Sequence, residues 1–267
     1  MADSAVPLPF VDVRMPTVSA GQPVPVVLIH GWASGSVYWE PLVEKLLDGG
    51  RTVWVLDLPG YHPGEELPQD FEWTLDSAAA SVAALISDRG GRPVHVVGHS
   101  MGGSVSLTLA ASRPELVATV TLVGMVPAPQ NEGFKKLLVS QLRQGFFDAA
   151  TKAKLMNAWY GPLTDNEMAW LGKGFDVPFA ILSASAMAAM TGVGPSVPGR
   201  VQAPLLVIAG TGDRVRSIDQ MRDFVAVGRN RQLKAIPDAG HNVHWERPDE
   251  CAQALHGFWR TSWHSPA

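Results

Sequence analysis

Val94-His95-Val96-Val97-Gly98-His99-Ser100-Met101-Gly102-Gly103 joins a buried-looking β-branched run to a helix-forming stretch with no linker between them. A strand that turns this sharply into a helix forces its apex residue, Ser100, into a strained backbone conformation. Side chains two positions to either side would clash, so glycine is required at 98 and 102. The pattern is G-x-S-x-G in the strand–turn–helix setting that gives it chemical meaning. It lifts the serine hydroxyl clear of the sheet, at a helix N-terminus whose amides and dipole favour negative charge. A phosphate-binding turn is the other use of such glycines, but neither G-x-G-x-x-G nor G-x-x-x-x-G-K-[ST] occurs in the chain.

Working outward, similar short apolar runs recur: Val26–Ile29, Thr52–Leu56, Val120–Val123, Leu205–Ile208 and a weaker Gln232–Ile236. Nearly continuous apolar runs of this length suit strands buried on both faces of a parallel sheet. Helical composition lies between them at Glu40–Leu47, Leu75–Asp88, Met101–Ser112, Ser217–Val227 and Pro248–Trp259. Thr74 or Asp76 suits the second of these as a cap, and Pro248 suits a first helical turn. Alternation of this kind predicts an α/β fold, a mostly parallel doubly wound sheet with right-handed crossovers. Phe10–Met15 alternates more and predicts an antiparallel edge. The rhythm breaks over residues 126–200, which are rich in Leu, Met, Ala, Phe and Trp, with breaks at Gly161-Pro162 and Gly192–Gly199. This interval predicts a helical lid inserted between two late strands, over the C-terminal edge where open α/β sheets bind ligands. Residues 1–125 and 201–267 then form the core.

The bulk numbers fit such a protein. The 267 residues are 46% hydrophobic and 17% charged, with a net charge of −4. That balance argues against nucleic-acid binding. The single cysteine, Cys251, forms no intrachain disulfide or CxxC site and reads as a packed helix residue. No basic segment followed by an apolar run opens the chain, and no apolar stretch reaches the ~20 residues of a membrane helix. The expectation is a cytoplasmic protein away from membranes.

A serine nucleophile needs a base within hydrogen-bond reach. Among eight histidines, His241 is best placed, in Asp238-Ala239-Gly240-His241 between the last strand and the final helix. Gly240 frees the backbone there, and His244 is the decoy three residues on. His30 reads as a brace for the turn at Gly31, His95 as a packed strand residue, and His99 as facing elsewhere on the elbow. His62, His256 and His264 read as surface or packing residues. The orienting acid belongs on a loop at a strand's C-terminal end. Asp213, in Ala209-Gly210-Thr211-Gly212-Asp213, sits there, whereas Asp57 opens an early Asp-Leu-Pro-Gly turn and reads as structural. Acyl transfer also needs two preorganised amides for the developing oxyanion, worth roughly 3–4 kcal/mol each. The residue after the nucleophile, Met101, supplies one. The loop His30-Gly31-Trp32-Ala33-Ser34-Gly35 supplies the other through Trp32.

Taken together, His30-Gly31-Trp32, Asp57-Leu58-Pro59-Gly60, Gly98–Gly103, Gly212-Asp213 and Gly240-His241 resemble the α/β-hydrolase superfamily over about Val24 to Trp259. The resemblance implies a Ser100–Asp213–His241 triad in the family's chain order. More narrowly, the His-Gly-Trp loop and chain size look like the pimeloyl-[acyl-carrier protein] methyl ester esterases, which typically carry tryptophan where His99 stands. The resemblance also implies carboxylic ester hydrolysis without metal or organic cofactor. Carbon–carbon hydrolases, lactonases and thioesterases share such triads, as do receptor-like and non-hydrolytic members of the fold.

The inserted interval carries the expectations about substrate. Trp32, Phe146, Trp159 and Met187 are read as lining an apolar site. Between Asn131 and Lys154, the basic residues Lys135, Lys136, Arg143, Lys152 and Lys154 face only Glu132 and Asp148. In an acidic chain this excess reads either as a solvated helix face or as a dock for an acyl-carrier protein on Lys135, Lys136 and Arg143.

Overall fold

The apolar runs become one sheet, described in a computed structural model over residues 6–17, 23–128 and 132–262. Its strands are β1 (Phe10–Arg14), β2 (Val26–Ile29), β3 (Val53–Asp57), β4 (Val94–His99), β5 (Val117–Val123), β6 (Leu205–Gly210) and β7 (Arg231–Ile236). Their order is β1-β3-β2-β4-β5-β6-β7. β1 runs antiparallel to β3, with Phe10 opposite Asp57, and every other pairing is parallel. β5 begins three residues before the expected Val120. Pro114–Leu116 forms a short 3-10 turn that delivers Val117 and Thr119 into the ladder opposite Val94 and His95, with Ala118 left over at a bulge.

Helices follow the strands: α1 (Glu40–Asp48), α2 (Leu75–Asp88), α3 (Met101–Ser112), α4 (Glu132–Gln144), α5 (Ala149–Tyr160), α6 (Asp165–Leu171), α7 (Phe179–Thr191), α8 (Val197–Arg200), α9 (Ile218–Ala226), α10 (Val243–Glu246) and α11 (Pro248–Ser262). Of the two candidate caps for α2, Thr74 serves: its hydroxyl accepts from the Ser77 amide, and the Ser77 hydroxyl answers the Thr74 amide. Ser217 caps α9 in the same way through Gln220, so that helix starts one residue later than its composition suggests.

Side-chain alternation along the strands sorts the core into two layers. Val27 and Ile29 of β2 and Leu205 and Val207 of β6 pack in a cluster with α2, α3 and α9. Val26 and Leu28, Leu206 and Ile208 face the other way, against α1, α10 and α11. Residues 26–29 are wholly inaccessible. Each such side chain contributes about 1.5–3 kcal/mol by leaving water. Cys251 is part of the second layer, and burial pushes its thiol up to about 12.

Two features position a site. The chain places β3 on one side of β2 and β4 on the other, so the strand order reverses at β2/β4, where open α/β sheets bind ligands at their C-terminal edge. Helices α4 to α8 all lie between β5 and β6, within the interval where no strand was expected. They are fastened over that edge. Trp32 Nε1 donates to the Leu182 carbonyl, Asn242 Nδ2 donates to the Trp159 carbonyl, and the Tyr61 and Ser185 hydroxyls hydrogen-bond at 2.8 Å. Among the described residues, no single helix is long and apolar enough to cross a membrane.

Candidate active site

Ser100 has φ 49° and ψ −116°, a left-handed conformation rare for a residue with a side chain. The flanking glycines are steric requirements. A Cβ on Gly98 would land on the Gly102 carbonyl and the Ser106 hydroxyl, and one on Gly102 would land on the Ile29 and His30 carbonyls. The turn is pinned because the Ser100 amide donates to the Val123 carbonyl of β5 at 3.1 Å. Ser100 therefore stands at the head of the 12-residue α3.

β6 and β7 deliver the acid and the base from adjacent strand ends. The Gly212 amide donates to the Ala239 carbonyl, which ties the two loops together. Asp213 Oδ1 accepts from the amides of Val215 (2.7 Å) and Arg216 (3.0 Å). Its Oδ2 accepts from His241 Nδ1 at 2.9 Å. Both side chains are essentially sealed from solvent. This pairing fixes the imidazole tautomer: Nδ1 carries the proton and Nε2 keeps its lone pair. Ser100 and His241 line the same two compartments of one cleft.

The His30 loop closes the site from β2. A Cβ on Gly31 would stand 3.4 Å from the Ser100 Cβ, so the loop passes directly over the elbow. Ala33 holds a positive φ of 50° in that tight turn. Among the described residues, neither the Trp32 nor the Met101 amide is drawn into a turn or cap hydrogen bond. His30 braces the loop as expected, its Nδ1 bonding the Gly31 carbonyl and its Nε2 accepting from the Leu58 amide. Asp57 is structural, accepting from the Ser36 amide and hydroxyl and pairing with His62. His95 packs against Trp259 and hydrogen-bonds Thr119. His264 lies outside the described residues.

His99 differs from expectation. It does not face away from the site. Its ring lies 4.8 Å from that of His241 and 4.7 Å from that of His244, and its Nε2 donates to the His241 carbonyl. The elbow turns the residue before Ser100 toward the β7 loop, a long-range neighbour that local sequence does not reveal. Burial and the neighbouring histidines hold His99 well below the usual imidazole range, and burial lowers His244 to about 3. Both rings are neutral at pH 7, and His244 packs against Trp39 and His99 without lining the cleft that holds Ser100 and His241. Among the described residues, no group of three or more histidine, cysteine or carboxylate side chains is arranged to hold a metal ion.

The cleft has two compartments. The smaller, about 50 Å³, is lined by Trp32, Phe134, Leu138, Trp159, Tyr160, Ala186 and Met190. The larger, about 630 Å³, runs past Val126, Met190, Val193, Val215, Arg216 and Phe224. Trp32 and Trp159 thus line the cleft, their rings meeting edge-on at 5.9 Å. Phe146 and Met187 do not. Phe146 is 54% exposed, and its neighbour Phe147 is the one turned inward, onto the Trp32 ring. Met187 is 50% exposed on α7, while Ala186, Ala189 and Met190, three and four residues apart, form the facing stripe. Arg216, Tyr160 and Asn242 were not singled out. The position of Arg216 three residues beyond Asp213 was the available signal; Tyr160 and Asn242 gave none without the tertiary contact. Lys136 and Arg143 are exposed on α4, and Lys135 is half-buried at the cleft, paired with Glu132.

Comparison with known proteins places this geometry. The chain spans 32%, 63%, 61% and 57% of the length of four curated relatives that it matches. One of them, the pimeloyl-[acyl-carrier protein] methyl ester esterase of Methylococcus capsulatus, is 32% identical over 54% of this chain and 57% of its own. The 2-hydroxy-6-oxo-6-phenylhexa-2,4-dienoate hydrolase of Burkholderia cepacia is 29% identical over 86% of this chain and 85% of its own. Among solved structures, the enol-lactonase of Burkholderia xenovorans shares the fold, with a TM-score of 0.79 at 20% identity over 94% of this chain and 97% of that one. Residues 26–254 match the family described as "Alpha/beta hydrolase family". That match covers most of the chain, which therefore belongs to the α/β-hydrolase family.

Proposed function

We propose that this chain hydrolyses a carboxylic ester with an apolar acyl or alcohol group, through an acyl-enzyme on Ser100. One arrangement carries the reading: a strained serine at a helix N-terminus shares a cleft with a histidine whose far nitrogen is held by a buried carboxylate. His241 Nε2 takes the Ser100 proton as Oγ attacks the ester carbon. The Trp32 and Met101 amides hold the oxyanion, and His241 returns the proton to the departing alcohol. Water, deprotonated by His241, then attacks the acyl carbon and restores Ser100. Asp213 keeps the ring oriented and stabilises the imidazolium. Helices α4 to α8 serve as the lid in this reading, and exposed Lys136 and Arg143 are its docking residues for an acidic acyl carrier.

The test is intact-protein mass after a fluorophosphonate probe, together with turnover of p-nitrophenyl esters of increasing acyl length. The wild type takes one adduct and turns over, and Ser100→Ala does neither. Near-full activity in Ser100→Ala overturns the mechanism. The near full-length match to the Burkholderia cepacia hydrolase favours a second reading, carbon–carbon bond hydrolysis on the same triad. Turnover of 2-hydroxy-6-oxo-6-phenylhexa-2,4-dienoate without turnover of esters selects it.

A further inference from the structure

The smaller of the two compartments that meet at Ser100 is not apolar throughout. Trp32, Phe134, Leu138, Trp159 and Met190 make most of its wall, but Ser34 and Asn242 line it too. Both are deeply buried, at 8% and 2% exposed. Other polar groups nearby are spent or turned elsewhere. His99 Nε2 donates to the His241 carbonyl, and Tyr160 packs toward Tyr38.

Asn242 directly follows His241 and stands at the N-cap of α10, where an asparagine side chain ordinarily accepts from a helix amide. Here it makes no such bond. Its Nδ2 donates instead to the Trp159 carbonyl at 3.0 Å. A carbonyl only accepts, so that contact fixes which way the side-chain amide faces. Oδ1 is left on the other side, with no hydrogen-bond partner among the described residues. Ser34 lies two residues beyond Trp32 in the loop that crosses the elbow, beside Ala33 with its positive φ. Its hydroxyl likewise has no partner among the described residues. Neither atom is sealed in the interior like the orphaned Thr121 Oγ1 and His244 Nδ1, and both residues border the cleft. An apolar group in this compartment leaves an acceptor and a hydroxyl unpaired, which is costly. A hydroxyl group both donates and accepts, so it answers the two at once.

We propose that the smaller compartment is a hydroxyl subsite, in which a substrate hydroxyl donates to Asn242 Oδ1 and accepts from the Ser34 hydroxyl. The substrate is then an ester that joins a short hydroxylated group to a longer apolar one. The short group fits a compartment of about 50 Å³, and the apolar one runs along Val126, Met190, Val193 and Phe224 in the larger compartment. This rests on the serine-hydrolase reading above and specifies its substrate class.

The experiment measures kcat/KM on two pairs of esters that exchange a hydroxyl for a methyl. Hexyl glycolate against hexyl propionate puts the hydroxyl on the acyl side. 2-Hydroxyethyl hexanoate against propyl hexanoate puts it on the alcohol side. Each ratio is divided by the same ratio for hydroxide, which removes intrinsic reactivity. For a slow ester, the slowing of fluorophosphonate labelling gives the same preference. The wild type prefers the hydroxylated member of one pair. Ser34→Ala deletes a hydroxyl that makes no bond within the protein, and it lowers that preference about 3- to 10-fold, the worth of one neutral hydrogen bond. Asn242→Leu lowers it at least as far. That variant also loses the tie to Trp159, but a loosened lid slows both members of a pair alike, so the ratio reports the subsite alone. Equal losses on both members of each pair overturn the subsite, as does a wild type indifferent to the hydroxyl in both pairs. Acyl-enzyme that accumulates equally from both members in Asn242→Leu would assign Asn242 to holding the attacking water, and overturns it too. If the wild type turns over p-nitrophenyl esters and takes the probe without either preference, the subsite falls and the hydrolase reading stands. If it does neither, both fall.

Discussion

The sheet edge and the inserted helices meet across one cleft and are built on opposite principles. At the edge, each reactive group sits on a turn that backbone sterics leave no room to vary. A Cβ at Gly98 or Gly102 strikes main-chain oxygen, and one at Gly210 strikes the Ala239 and Gly240 carbonyls. Gly124, with φ +62°, passes so close to His241 that a Cβ there would stand 2.6 Å from its carbonyl oxygen. In the insertion, most contacts run through side chains, the exception being Gly174, where a Cβ would strike the Ala33 carbonyl. Trp159 stacks flat on Phe175 at 5.9 Å, and Phe147 packs among Trp32, Phe175 and Phe179. Its Gly145, Gly161 and Gly192 have left-handed φ but nothing within 4 Å of a built Cβ. Backbone-defined turns hold the reaction geometry to fractions of an ångström, whereas packed side chains tolerate exchange at similar volume. The edge therefore carries the chemistry, and the insertion sets which groups reach it.

The largest effect that breaks this contrast comes from the edge. Asp213→Asn keeps an oxygen for the Val215 and Arg216 amides but turns an amide, rather than a carboxylate, toward His241 Nδ1. The ring then favours the tautomer with the proton on Nε2, where the base is needed. In the proposed mechanism kcat falls about 10⁴-fold on every accepted ester, by analogy with triads of the same geometry. Steady-state kinetics on short and long esters checks this. A loss confined to one chain length would move Asp213 from chemistry to substrate selection.

Effects in the insertion are smaller and selective. Met190 borders both compartments from α7, so Met190→Ala enlarges the acyl path. It shifts relative kcat/KM along a p-nitrophenyl ester series by about tenfold, typical of one side chain in an apolar pocket. Phe146→Ala, at a side chain turned to solvent, leaves the series unchanged. A Met190→Ala profile parallel to wild type at every length would show that the insertion does not set specificity.

The same contrast explains what was legible in the sequence. The elbow, the Asp213 turn and the His241 turn are local: a strand run, its glycines and one polar residue suffice to read them. The parallel pairings follow from nearly continuous apolar runs that alternate with helices, whereas the order of the strands came only with the fold. Phe146 in place of Phe147, and Met187 in place of Met190, are errors of facing within apolar segments whose partner surface the sequence does not state. His99 is the same kind of miss at the edge itself, because the β7 loop that receives it is 142 residues away.

The smallest effect concerns the histidines behind the triad and sharpens the comparison from the edge side. His244 is fully buried against Trp39 and His99, and its Nδ1 has no hydrogen-bond partner among the described residues. Its folded pKa, about 3, lies below the ordinary value of 6.5 because burial penalises the charge. Above about pH 6.5 neither state carries the proton, and the group adds no pH dependence. As pH falls from there toward 3, the unfolded chain takes up a proton that the native state refuses, and stability drops by up to about 1.4 kcal/mol per unit. His95, lowered to about 3, adds a similar slope, and His99 acts in the same direction. Denaturant melts between pH 7.5 and 5 therefore show falling stability, and His244→Phe, which fills the site without a titrating group, removes about one histidine's share of that fall. An unchanged slope in His244→Phe would mean that His244 is protonated, or open to water, in the native state. The edge would then be less tightly sealed than its turns require.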